Sequence, residues 1–257
     1  MADEYILETQ GLTKEFKGFV AVNNVDLKVQ RGHIHALIGP NGAGKTTFFN
    51  LLTKFLPPTR GAIRYRGVDI TQEKPAQIAR RGIVRSFQIS AVFPHMTVLE
   101  NVRAALQRNL GTSFHFWKPE TSLHPLHERA RQLLADVDLQ DFADELTVNL
   151  PYGRKRALEL ATTMALEPDL MLLDEPTQGM GHEDVGRVTQ LIKKVSIGRT
   201  ILMVEHNMNV VSSIADRITV LQRGAVIADG PYAEVSKNPL VIEAYMGSAD
   251  TELQGAH

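Results

Sequence analysis

Gly39-Pro40-Asn41-Gly42-Ala43-Gly44-Lys45-Thr46 decides how this chain is read. Every fixed position of the G-x-x-x-x-G-K-[ST] pattern is filled, and the chemistry of a phosphate-binding P-loop explains the spacing. Glycines at Gly39, Gly42 and Gly44 open backbone conformations closed to bulkier residues, so consecutive N–H groups can turn inward and ring a polyphosphate. Lys45 would set an ammonium against the β and γ oxygens, Thr46 would offer a hydroxyl to Mg²⁺, and the helix starting here would turn its positive end toward the anion. The candidate binding set is therefore Gly39, Asn41, Gly42, Ala43, Gly44, Lys45, Thr46 and Thr47. Upstream, residues 33–38 form a short, mostly apolar run of strand length; downstream, residues 47–55 read as a helix stopped by Pro57-Pro58. Strand, glycine loop and helix are the frame such a site requires, and they predict an α/β P-loop fold.

Bulk properties narrow the function classes. The 257 residues are 43% hydrophobic, enough for a sizeable core in one large domain or two small ones. Lys and Arg number 28 against 29 Asp and Glu, so no global basic field holds nucleic acid. Cysteine is absent, which excludes a disulfide framework and thiolate metal sites and fits a reducing compartment. The opening Met1-Ala2-Asp3-Glu4-Tyr5 lacks the basic and apolar regions of a signal peptide, and no apolar run approaches the roughly 20 residues that span a bilayer. Any membrane role would run through a partner.

Taken in order, residues 6–32 read as short strands, with Val25, Leu27 and Val29 alternating against polar neighbours. Phe16, lying before the P-loop, could stack on an adenine face or join the core. Residues 62–70 read as a hairpin, residues 75–81 as a short helix ended by Gly82, and residues 83–88 as a buried strand finishing in Gln88. From 93 to 165 the character turns helical. Thr97 and Glu100 have capping-box spacing; helices are expected over 128–137 and 156–166, separated from the first by the aromatic cluster Phe114-His115-Phe116-Trp117, read as a packing knot. His115, His124 and His127 lack metal-ligand spacing.

Leu170-Met171-Leu172-Leu173-Asp174-Glu175 is an apolar strand ending in two carboxylates, where ligands bind in parallel sheets. A helix cap would also use an Asp here, but beside a P-loop the pair suits a Mg²⁺ site. Asp174 would hold the ion through water, and Glu175 would orient and deprotonate the attacking water. An amphipathic helix through Val185, Val188, Leu191, Ile192 and Val195 follows, then a buried strand at 200–204 closed by Glu205-His206, strands at 218–221 and 225–228, and short helical pieces from 230 onward.

The P-loop, Gln88, Leu150-Pro151-Tyr152-Gly153-Arg154, Asp174-Glu175 and His206 occur in the order of an ATP-binding cassette (ABC) ATPase, which the chain resembles from residue 6 to about 247. The resemblance is strongest to the ATP-binding subunits of branched-chain amino acid importers, through Arg85-Ser86-Phe87-Gln88, the stretch Phe93 to Val102, Glu205-His206-Asn207-Met208 and the ending Asn238 to Gly247. It implies a RecA-like core (6–92 and 166–230) carrying an antiparallel β subdomain, an inserted α-helical subdomain (93–165), a C-terminal helical extension (231–247) and a disordered tail (248–257). Phe16 would stack on adenine. Gln88 would touch Mg²⁺ and report on the permease, which docks between the two lobes. His206 would contact the γ-phosphate and position the water, and Gly153 and Arg154 would face ATP bound to the opposite subunit. Catalysis would thus rest on Glu175, His206, Gln88 and Lys45, with Mg²⁺ at Thr46, Gln88 and Asp174. Three positions depart from the family pattern: Pro151 stands for Ser and Arg154 for Gln in the signature, and Gly181 for the following Asp.

What the resemblance implies is an ATPase on the cytoplasmic face of the inner membrane, pairing with an identical or paralogous cassette. It would drive permease subunits fed by a periplasmic binding protein, without nucleic acid. Alternatives are the ATPase of a lipopolysaccharide-export system, a soluble ABC protein of translation or repair, and a non-hydrolysing regulatory module. Glu175 and His206 argue against the last, since binding alone needs neither.

Overall fold

A computed structural model describes residues 4–86, 92–108 and 124–245. Gln88, the Phe114 to Trp117 cluster and the 248–257 tail lie outside the described residues. Two sheets organise the chain. The first is antiparallel: β1 (Tyr5–Phe16) and β2 (Phe19–Gln30) form a hairpin, and β4 (Arg60–Tyr65) and β5 (Val68–Asp69) extend it in the order β2-β1-β4-β5. Where short strands were expected, β1 and β2 run 12 residues each, because bulges let the ladder bend without ending.

The second sheet has six strands in the order β10-β9-β3-β8-β7-β6. Its members are β3 (Ile34–Ile38), β6 (Ile83–Ser86), β7 (Leu170–Asp174), β8 (Thr200–Val204), β9 (Arg217–Gln222) and β10 (Ala225–Gly230). All neighbours pair in parallel except β9 with β10. Every residue of β3, β7 and β8 is buried, as a parallel sheet covered on both faces demands. Alternation then sorts their side chains. Leu170, Leu172, Leu202 and Val204 pack with Phe48 and Phe49 toward the antiparallel sheet, while Met171, Leu173, Ile201 and Met203 pack toward the other helices.

Helix α1 (Lys45–Leu52) follows β3 directly, and α2 (Pro75–Arg80) precedes β6. Helix α1 stops at Leu52, short of the expected run to residue 55; Lys54 there takes a left-handed φ of 63°. Helices α3 (Val98–Gln107), α4 (His124–Asp136) and α5 (Tyr152–Ala165) pack on one another around Val102, Leu133, Leu134, Leu158 and Ala161. The capping box at Thr97 forms as the spacing predicts: Glu100 N–H donates to Thr97 Oγ1 at 3.2 Å and Thr97 N–H to Glu100 Oε2 at 2.7 Å. Helix α5 begins four residues before the expected start, since Pro151 is suited to open a helix and tertiary contacts hold its first turn. Helices α6 (His182–Val195), α7 (Met208–Ile214) and α8 (Tyr232–Val235) complete the layers, with residues 239–245 also helical.

Candidate functional site

The loop between β3 and α1 leaves the sheet between β8 and β9, where the strand sequence changes direction, which is where α/β sheets bind ligands. Its glycines answer to close approach as well as to conformation. Gly39 has φ 150° and a Cβ there would lie 2.2 Å from Leu221 O; Gly44 has φ 100° and a Cβ would lie 2.4 Å from Ala21 O. Backbone bonds brace the loop from behind, Gly224 N–H donating to Ala43 O at 3.0 Å and Asn23 N–H to Gly224 O at 2.8 Å. Asn41, Gly42 and Thr46 remain exposed and Thr47 is half-buried, so the mouth of the cradle faces solvent.

Lys45 is buried, and its Nζ donates to Gly39 O at 2.7 Å and Pro40 O at 3.0 Å. Burial lowers its pKa, while the carboxylates of Glu175 and then Asp174 act in the opposite sense. The two acids therefore lie within electrostatic reach of the loop lysine. They come from the C-terminal end of β7, next to β8 and one strand removed from β3. Asp174 is not a helix cap. Its carboxylate binds Arg85 Nη2, from the neighbouring strand β6, and Arg85 Nη1 donates to Asn50 Oδ1 of α1 at 2.6 Å. Glu175 takes a left-handed φ of 46°, a conformation costly for a residue with a Cβ, and its N–H donates to Val204 O at 2.9 Å.

His206 follows β8 with an exposed side chain. Behind it Glu205 is fully buried and accepts from Thr177 N–H at 3.1 Å, Thr177 Oγ1, His206 N–H at 2.9 Å and Asn207 N–H at 3.1 Å. One carboxylate thus ties the chain after β7 to the chain after β8. Nothing in the sequence marked Glu205, Thr177, Arg85 or Asn50 for these roles, because each is defined by a partner 28 to 89 residues away.

Phe16 is 41% exposed and pairs with Phe19 across the hairpin whose β2 strand passes Gly44 at Ala21; Lys14 Nζ lies 5.0 Å from its ring centre. That removes the core reading of Phe16. Gly153 sits in the first turn of α5, against Asp184 of α6, whose Oδ1 would be 2.8 Å from a Cβ at Gly153. The Arg154 guanidinium lies over Phe142, 3.7 Å from the ring centre. Gly181 caps α6 with ordinary extended geometry.

Set beside known proteins, the chain matches the ABC transporter family model over residues 22–178, more than half its length. The chain belongs to the ABC transporter family. A second model, for branched-chain amino acid ATP-binding cassette transporters, matches this ABC chain over residues 225–251. It is similar to the high-affinity branched-chain amino acid transport ATP-binding protein BraF of Pseudomonas aeruginosa, 42% identical over 251 residues covering 95% of the chain and 98% of the relative. It is also 39% identical to LivG of Escherichia coli, over the same shares of each chain. Among solved structures, an ATP-binding cassette of an ABC transporter in its ADP conformation superposes with a TM-score of 0.83 at 30% identity, covering 95% of this chain and 99% of that one. A dimeric cassette in a post-hydrolysis state with ADP and Pi gives a TM-score of 0.72 at 25% identity, covering 88% and 98%. As an ABC ATPase the cassette binds nucleotide and hydrolyses ATP. Among the described residues no helix is long and apolar enough to cross a membrane.

Proposed function

We propose that this ABC ATPase is the ATP-binding subunit of an importer for branched-chain amino acids, peripheral to the cytoplasmic face of the inner membrane through its permease. The substrate assignment follows the named relatives; the lipopolysaccharide-export and non-transport readings have no such support. The catalytic assignment rests chiefly on one observation: the loop carrying Lys45 and the pair Asp174-Glu175 leave the same C-terminal edge of the parallel sheet, with only β8 between their strands.

In this reading Gly39, Asn41, Gly42, Ala43 and Gly44 ring the phosphates, Lys45 turns from the loop carbonyls to the β/γ oxygens, Thr47 adds a donor and Phe16 stacks on adenine. The oxygen donors at Thr46 and Asp174 fit Mg²⁺, which keeps few protein ligands and takes the rest from phosphate and water, and Gln88 would add an amide oxygen. Bound there, the ion would neutralise charge developing on the transferred phosphoryl group. Glu175 accepts a proton from the attacking water, and His206 positions that water from β8. A second cassette, identical or paralogous, supplies Gly153 and Arg154 across the interface; the backbone N–H groups at the start of α5 meet the terminal phosphate.

Helices α3, α4 and α5 act as the helical lobe. A cleft of about 540 Å³ between that lobe and the sheet edge, lined by Phe55, Ile78, Arg85, Phe93, Ala105 and Arg108, suits the permease, with the substrate-binding protein acting through it. The test is transport: reconstituted with permease subunits of a branched-chain amino acid importer, the cassette should hydrolyse ATP in step with leucine uptake. Hydrolysis coupled to a different solute would remove the substrate assignment, and no hydrolysis would remove the motor.

A further inference from the structure

Tyr152, Arg156 and Glu159 of α5 and the loop at His206 belong to one hydrogen-bonded frame. Glu159 of α5 lines the cleft, is 5% exposed, and its Oε2 accepts from Arg156 Nη1 at 2.7 Å. Arg156, 6% exposed, donates from Nη2 to Tyr152 Oη at 3.0 Å. Tyr152 Oη in turn donates to Gln178 O at 3.3 Å, although the residue as a whole is 45% exposed. Gln178 is bonded through the chain to Thr177, whose N–H and hydroxyl are both held by Glu205, and Glu205 holds the N–H groups of His206 and Asn207. The path runs from the cleft wall, along the first turns of α5, to the backbone of His206.

We propose that Tyr152 and Glu205 are positioning residues that set the start of α5 and the His206 loop in one mutual geometry. Two physical facts favour a positioning role over a packing one. A tyrosine this exposed gains little by burial, yet its hydroxyl is committed at both ends. A buried carboxylate is costly unless fully paired, and Glu205 spends its acceptor capacity on two separate loops, the one at Thr177 and the one at His206. The inference rests on the ATPase reading of the site.

The test uses the full chain with ATP. Tyr152→Phe deletes one oxygen, and Glu205→Gln keeps the shape while losing acceptor capacity. Each should lower kcat about two- to tenfold, the scale of a lost hydrogen bond, with KM for ATP unchanged because the cradle is untouched. The double variant should fall short of the product of the two effects, as members of one network do. A Tyr152→Phe chain with wild-type kcat, a KM that shifts with kcat, or strictly multiplicative effects overturns the frame while leaving the ATPase reading standing. If the unaltered chain binds ATP but never hydrolyses it, both fall together.

Discussion

The Arg85 guanidinium is hydrogen-bonded to the Asp174 carboxylate between the adjacent parallel strands β6 and β7, with both side chains at most 10% exposed. Removing one member of such a buried pair strands the other charge. Arg85→Ala should therefore destabilise the chain by about 3 kcal/mol in urea unfolding, and Asp174→Asn added to it should cost less than the sum of the single changes. Full additivity would mean the two groups are not a pair.

Glu175, the proposed general base, sits in a strained left-handed backbone conformation. Glu175→Gln should retain ATP affinity while turnover falls by roughly 10² or more, the scale of a lost general base. Glu175→Gly should lose turnover equally yet gain about 1 kcal/mol of stability, because φ 46° costs glycine nothing. Thermal unfolding and ATPase assays on the two variants separate strain from catalysis; a glycine variant no more stable than the glutamine one contradicts the strain.

Lys45→Ala removes the buried ammonium on which the Glu175 and Asp174 carboxylates act. Nucleotide affinity should drop at least about tenfold, as expected for hydrogen bonds to a charged group. Equilibrium binding of a fluorescent ATP analogue reads this directly, and unchanged affinity would take Lys45 out of the site.

The Arg154 guanidinium is stacked on Phe142, and the proposed contact with a facing phosphate would start from that platform. Phe142→Leu should loosen that platform and weaken ATP-driven dimerisation of the Glu175→Gln chain several-fold, about what a cation–π contact contributes, and Arg154→Gln should do so at least as much. Sedimentation with ATP measures both. Indifference of dimerisation to either change would return Arg154 to a surface role.

His35 is fully buried on β3 with Nε2 2.8 Å from Thr219 Oγ1. Burial holds its pKa down to about 4; Asp229 opposes that, and Arg217 and His33 add to it. The unfolded chain binds this proton near the ordinary histidine value and the folded chain only near 4, so stability is complete above the unfolded pKa and falls as pH drops from about 6.5 to 4. The loss attributable to His35 should be on the order of 3 kcal/mol. Denaturant titrations at several pH values, repeated on His35→Gln, should show the slope flatten across that window.

Where local geometry depends on neighbours in sequence, the sequence alone determined it. The P-loop, the Thr97–Glu100 capping box and the buried strand ending in Asp174-Glu175 all rest on spacing within a few residues, and backbone geometry fixes what such spacing does. Roles set by partners far along the chain were decided only by the fold. The pairing of Arg85 with Asp174, the grip of Glu205 on both Thr177 and His206, the stacking of Arg154 on Phe142 and the reach of Tyr152 to Gln178 each join segments brought together by sheet order and helix packing. A carboxylate or a ring carries no local mark of which distant group it will meet. That selection is made when burial of the apolar faces sets the strand order, and the polar groups then bond to what lies within reach.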